Sequence, residues 1–147
     1  MSRVAVMGRL LVAAQFALLA WLIWPLTAQV WSLPALALLA CATSLGVWTL
    51  AHNRPGNFNI RPEPKTSGRL VTSGPYQYVR NPMYSALLLF AAAEVVAYDD
   101  IWKIACWFAL ALVLLAKALL EERALHALFP GYAEYAKRVR RFIPGVF

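Results

Sequence analysis

Gly68-Arg69-Leu70-Val71-Thr72-Ser73-Gly74-Pro75-Tyr76-Gln77-Tyr78-Val79-Arg80-Asn81-Pro82-Met83-Tyr84 stands directly before a hydrophobic run, in a chain that is otherwise mostly apolar. Gly74 and Pro75 break helical continuation. Asn81-Pro82 reads as a helix start, with Asn81 as N-cap and Pro82 as the first helical residue. The stretch therefore separates membrane-crossing segments by one polar interruption. It carries more aromatic, arginine and turn residues than a passive linker needs, and function is sought there first.

Outward from this stretch, the composition sets the class. Of 147 residues, 61% are hydrophobic and 14% charged, whereas a soluble domain is about half apolar and about a quarter charged. The excess lies in four runs, residues 4–26, 30–51, 83–98 and 101–120. About 20 helical residues cross a hydrocarbon core of ~30 Å. The third run is short and needs little tilt, flanking residues or local thinning. The first is too long for a signal peptide and shows no cleavage site. The expected fold is an all-α integral membrane protein of about four transmembrane helices, with residues 1–52 a scaffold hairpin and 53–147 a catalytic core. In the hairpin, Gly46 and small residues such as Ala40, Ala42 and Ser44 allow close helix approach. Trp21, Trp24 and Trp31 form an interfacial belt around a short turn at 27–29.

The basic residues set the orientation. Arg3 and Arg9, then Arg54, Arg61, Lys65, Arg69 and Arg80, then Lys117, Arg123, Lys137, Arg138, Arg140 and Arg141 fall on one side. The other side carries only Lys103, beside Asp99 and Asp100. The positive-inside rule then places both termini and the central loop in the cytoplasm. The net charge of +7 reads as topology and attraction to anionic lipid, with no nucleic-acid partner. Cys41 and Cys106 read as small packing residues inside helices. No spacing of Cys or His marks a metal site, and His52 and His126 read as isolated interfacial groups.

The loop from His52 to Pro82 holds Phe58, Ile60, Leu70, Val71, Tyr76, Tyr78 and Val79, too apolar for disorder. It is expected to fold back on the helix ends. Asn81 to Tyr84 fits a plain capped helix with an anchoring tyrosine, or an anion site at an open helix N-terminus. The fourth helix continues past the membrane through Leu128, and Gly131 ends or bends it. Tyr132, Tyr135, Val139 and Phe142 then recur at about helical spacing among basic residues. This is an amphipathic segment suited to the membrane surface, the alternative being a solvated tail. Lys117 and Glu121 share one face of the fourth helix, and Glu122 and His126 another. They form either a solvated helix exit or the lining of a polar pocket. Glu94, ~16 Å into the third helix at 1.5 Å per residue, is expected to snorkel to the far surface or be buried against partners.

Leu70-Val71-Thr72-Ser73-Gly74-Pro75-Tyr76 and Arg80-Asn81-Pro82-Met83-Tyr84 resemble motifs of the isoprenylcysteine carboxyl methyltransferase family and the related phospholipid methyltransferases. So do Glu121-Glu122-x-x-Leu125-x-x-x-Phe129, Tyr132-x-Glu134-Tyr135 and Ile143-Pro144. The resemblance covers residues ~65–144 in order. It implies a membrane-embedded methyltransferase using S-adenosyl-L-methionine, with a lipophilic small-molecule or prenylated substrate and membrane lipids as partners. By position it assigns Gly68, Arg69, Leu70, Val71, Tyr76, Asn81, Pro82, Met83, Tyr84, Glu121 and Glu122 to the cofactor. Lys117 and Tyr84 are put at the reacting groups, Lys117 near a substrate carboxylate. Asn81 stands where better-studied members have His, so that position caps and donates but cannot titrate. Lys117 stands where Arg is usual and lacks the bidentate fork. A carboxylate acceptor needs no general base, which tilts the reading toward O-methylation over N-methylation of a phospholipid amine. Three readings compete with methyl transfer. A nicotinamide-dependent sterol-reductase-like protein shares the Arg-x-Pro-x-Tyr end. A small proton-coupled transporter would use Glu94 as its coupling carboxylate, and a membrane scaffold would carry no chemistry at all.

Overall fold

The computed structural model describes residues 3–24, 31–53, 70–98 and 100–147. The regular elements among the described residues are all helical: α1 Arg3–Ile23, α2 Leu33–His52, a 3-10 turn Gly74–Gln77, α3 Pro82–Tyr98, α4 Ile101–Leu128 and α5 Tyr132–Arg138. α1, α2 and α4 are each long and apolar enough to cross a membrane, and α3 is a shorter apolar helix of 17 residues. The chain is an integral membrane protein of the all-α class. Its outward faces are apolar, with Leu10, Trp21, Trp24, Leu33, Trp102 and Leu112 exposed, as suits helices solvated by lipid. The turn expected at 27–29 lies outside the described residues.

Local chemistry fixes the helix ends. Ser32 caps α2, its hydroxyl accepting from Ala35 N, with Pro34 in the first turn. Asp100 caps α4 by accepting from Trp102 N at 2.9 Å. Lys103, one turn further on, is buried and donates to the backbone carbonyls of Leu22 and Trp24 at the end of α1. A cation placed there satisfies carbonyls that the last helical turn leaves free and meets the negative end of the helix dipole. Glu94 is also buried, only 5% exposed, within the field of the Lys103 ammonium. Of the two placements expected for Glu94, snorkelling is therefore replaced by burial. An opposite charge is available inside the bundle, where lipid offers none.

Packing runs in a row: α2 against α3, α3 against α4, and α4 against α1. The small-residue face of α2 meets α3, where a Cβ on Gly46 would lie 3.8 Å from that of Ala86. Close approach thus falls between α2 and α3 rather than inside the first pair of helices. The main core joins Leu22, Tyr84, Ala91, Leu110, Leu114 and Ala118. Cys106 belongs to this core, whereas Cys41 faces outward. A second cluster holds Tyr132, Tyr135 and Val139 under Leu70, Leu125 and Phe129. The aromatic face of α5, expected at a membrane surface, is instead packed on the protein, because Leu70 and the α4 end supply an apolar seat for it.

Candidate functional site

The loop residues 70–81 fold back onto the helix ends through hydrogen bonds at both flanks. On the α2 side, His52 Nε2 pairs with Ser73 Oγ at 2.9 Å and Asn53 Nδ2 donates to the Tyr76 hydroxyl at 3.1 Å. Gly74 lies against the His52 ring with φ +60°, and a Cβ there would come within 2.6 Å of the imidazole. Only glycine meets both demands. On the C-terminal side, Arg80 N donates to Arg140 O at 2.7 Å and Asn81 N to Arg141 O at 3.0 Å, forming a short parallel pairing. Ser85 Oγ donates to Phe142 O at 2.7 Å, and the Tyr135 hydroxyl to Tyr76 O at 2.6 Å.

Glu122 is the electrostatic anchor of this assembly. Arg80 Nη2 donates to its carboxylate at 2.9 Å, and Arg141 grips it through Nε at 3.0 Å and Nη2 at 3.0 Å. The other arm of Arg80 donates to Ala136 O at 2.6 Å and Val139 O at 2.7 Å, carbonyls at the end of α5 that its own turn leaves free. One guanidinium therefore joins the loop, α4 and α5. The Arg80–Glu122 pair is shielded on both sides, with side chains 8% and 9% exposed.

Beside this anchor lies a second polar group. Tyr84 donates its hydroxyl to Glu121 Oε1 at 2.5 Å. Lys117 Nζ stands 5.1 Å from the centroid of the Tyr84 ring and donates to Gln15 Oε1 at 2.6 Å. Lys117 is 1% exposed, and Gln15 is buried as well. Asn81, one turn before Tyr84 at the start of α3, is held by its backbone: its carbonyl accepts from Tyr84 N and Ser85 N. Its side-chain Nδ2 is buried and has no hydrogen-bond partner among the described residues. Tyr76 lies close enough to feel the Glu121 charge, and burial, only partly opposed by the Asn53 hydrogen bond, pushes its phenol up to about 12. Tyr76 is accordingly a neutral hydrogen-bonding group at physiological pH.

Of the residues singled out from sequence, Tyr76, Tyr84, Lys117 and Glu121 converge, and Asn81 stands one turn before Tyr84 at the start of α3. Pro82 is buried at the start of α3 with Met83 half-buried beside it. Leu70 packs against α5, and Val71 continues the loop beside it. Glu122 adjoins the group but spends its carboxylate on the two arginines. Gly68 and Arg69 lie outside the described residues. Gln15 is a site residue that the sequence reading misses. Its signal is present, a lone amide inside an apolar spanning run, but only the packing of α1 on α4 shows which cation it meets.

A loop, a helix start and a helix end thus close around a buried tyrosine, amide and ammonium and a half-buried carboxylate at one end of a membrane bundle. The chain belongs to the phospholipid methyltransferase family, whose model matches residues 33–131. It is also similar to the cobalt-zinc-cadmium resistance protein CzcN of Cupriavidus metallidurans, with 37% identity over 82 residues, 54% of this chain and 38% of that protein. The chain thus spans well under half the length of that relative. Gln15 and Arg141 fall beyond the stretch the family model matches. Among the described residues, no group of three or more His, Cys, Asp or Glu side chains is placed to hold a metal ion.

Proposed function

We propose that this chain transfers a methyl group from S-adenosylmethionine to a lipophilic acceptor at the cytoplasmic membrane face, the accepting group being a carboxylate such as that of a prenylcysteine. The observation that carries this reading is the unspent Asn81 Nδ2, one helical turn before the tyrosine that holds Glu121. A buried donor without a partner costs about 1–3 kcal/mol, and a ligand acceptor relieves that cost. A cofactor with both an ammonium and a carboxylate, a ribose diol and a base rich in acceptors suits a site that offers one free donor and one carboxylate. Asn81 would donate to it, Glu121 would receive a polar cofactor group, and Tyr84 would hold Glu121 in place. Tyr76, Pro82 and Met83, with Leu70 and Val71 behind, would form its walls. When bound, the cofactor supplies an electrophilic methyl on a sulfonium.

The remaining chemistry is positioning. Lys117, fixed by Gln15 and the Tyr84 ring, would orient an acceptor carboxylate by charge. Displacement at a methyl carbon is accelerated by alignment and by removal of water from the nucleophile. A carboxylate forms the methyl ester without losing a proton. The second reading is N-methylation of a phospholipid amine, which the description of the matching family favours; there a proton must leave the amine. Incubating the purified chain with lipid extract and methyl-labelled cofactor tests both. Label in lipid that mild alkali releases as methanol supports the carboxylate reading, and alkali-stable label supports the amine. No label in any lipid, from folded protein, contradicts both.

A further inference from the structure

An apolar groove of about 670 Å³ runs along α3, between α2 and α4. Its volume is that of a ligand site. Trp48, Ser85, Ala92, Trp107, Leu112 and Phe142 mark its extent, and none of its lining residues is charged. Ser85, its one aliphatic hydroxyl, is already spent on Phe142 O. An occupant therefore finds dispersion contacts and little else, which selects a hydrocarbon chain.

The groove has direction. Its upper end touches the candidate site, because Phe142 both lines it and packs edge-on against Tyr84 with centroids 6.3 Å apart. From Leu115 to Trp107 it descends α4 for ~12 Å, and from Ser85 to Ala92 it descends α3 for ~10 Å, at 1.5 Å per residue. Leu112 and Trp48 on its flanks are exposed to the membrane side of the bundle, so a chain can enter from the bilayer. At the deep end stands Trp107. Its indole Nε1 donates to Leu88 O at 3.0 Å and its ring meets Phe108 edge-on at 5.1 Å. Held from α3 by that hydrogen bond, the ring cannot swing aside without leaving an indole N–H unpaired in an apolar region.

We propose that this groove holds one hydrocarbon chain of the acceptor and that Trp107 is its floor, setting the longest chain accepted. This rests on the reading of the adjoining cluster as a methyl-transfer site, so binding and transfer are measured separately. In the first arm, the full chain in detergent is mixed with equimolar S-alkyl N-acetylcysteines of graded chain length. Bound species are counted by native mass spectrometry without cofactor. Wild-type protein should show a cut-off in length, and Trp107→Ala should move that cut-off several methylenes longer. Trp107→Phe keeps a smaller ring and should move it less; it carries the test if the alanine variant does not fold. Leu10→Ala, on the exposed face of α1 and outside the groove, should leave the cut-off in place. No binding by the wild type, or an unchanged cut-off in a folded Trp107 variant, overturns the groove assignment. In the second arm, methyl transfer to the same series is followed. A shifted binding cut-off without transfer leaves the groove and removes the methyl-transfer reading. Transfer with a length profile unchanged by Trp107→Ala does the reverse.

Discussion

The Tyr84 hydroxyl is bound to the Glu121 carboxylate at 2.5 Å, tying the first turn of α3 to the membrane-exit end of α4 across 37 residues. A hydrogen bond to a charged group contributes about 1.5–3 kcal/mol. Both partners are proposed to serve the cofactor, so the bond sets the shape of that site. Tyr84→Phe is expected to weaken S-adenosylhomocysteine binding by roughly tenfold or more, the equivalent of at least about 1.4 kcal/mol. Glu94→Gln, far along α3, should leave it unchanged. Calorimetric titration of the three proteins reads this directly.

Glu122 answers a different question. Two guanidiniums converge on it, and one of them also closes α5. Removing one member of a shielded ion cluster leaves the others uncompensated, at a cost of about 3–5 kcal/mol. Glu122→Gln and Arg80→Ala should each lower the thermal midpoint in detergent far more than Glu134→Gln, whose pair with Lys137 is exposed. Equal midpoints for all three would show that the cluster does not hold the C-terminal segment.

Gly74 is expected to resist substitution for two separable reasons. Gly74→Ala meets the His52 ring at 2.6 Å and puts a side chain at φ +60°, strain of about 1–3 kcal/mol. Adding His52→Ala should recover the steric part alone. A double variant as unstable as the single one would place the whole cost in the backbone.

Gln15 should act on the acceptor and not on the cofactor. Gln15→Leu removes the bond to Lys117 and frees the ammonium to drift. If Lys117 orients a carboxylate, KM for the acceptor should rise about tenfold, a loss of about 1.4 kcal/mol, while S-adenosylhomocysteine affinity stays constant. A fall in cofactor affinity instead would put Lys117 on the cofactor side of the site.

Alkaline titration should separate the phenols. Burial raises Tyr76 to about 12, and also raises Tyr132 and Tyr135, against about 10 for a free tyrosine. Since the folded value exceeds the unfolded one, the stability tied to these groups is complete below pH ~10. It is lost as pH rises through their folded values. Phenolate absorbance should therefore show a late phase in folded protein, which denaturant moves back to about 10.

How legible the sequence is depends on the range of each interaction. Helix existence and type follow from apolar run length, and the break at Gly74-Pro75 and the start at Asn81-Pro82 from local chemistry, so the bundle and the α3 start can be read directly. Lys117 and Glu121 fall together because helical spacing alone places them so. Gln15 does not, since its meeting with Lys117 depends on α1 packing against α4 across 102 residues. The same limit hides the role of Arg80: its sequence neighbours mark it as a motif residue, but its partners lie on α4 and α5. The helical spacing of Tyr132, Tyr135, Val139 and Phe142 marks an apolar face but not whether lipid or protein covers it, and the burial of Glu94 depends on a partner elsewhere in the bundle.

Titration of the purified full chain with S-adenosylhomocysteine, alongside Glu121→Gln, is the most direct test. Saturable one-site binding that Glu121→Gln weakens by roughly tenfold or more is the predicted result. Folded wild-type protein that binds no cofactor, or a Glu121→Gln variant that binds as tightly, contradicts the placement of a methyl-donor site between α3 and α4.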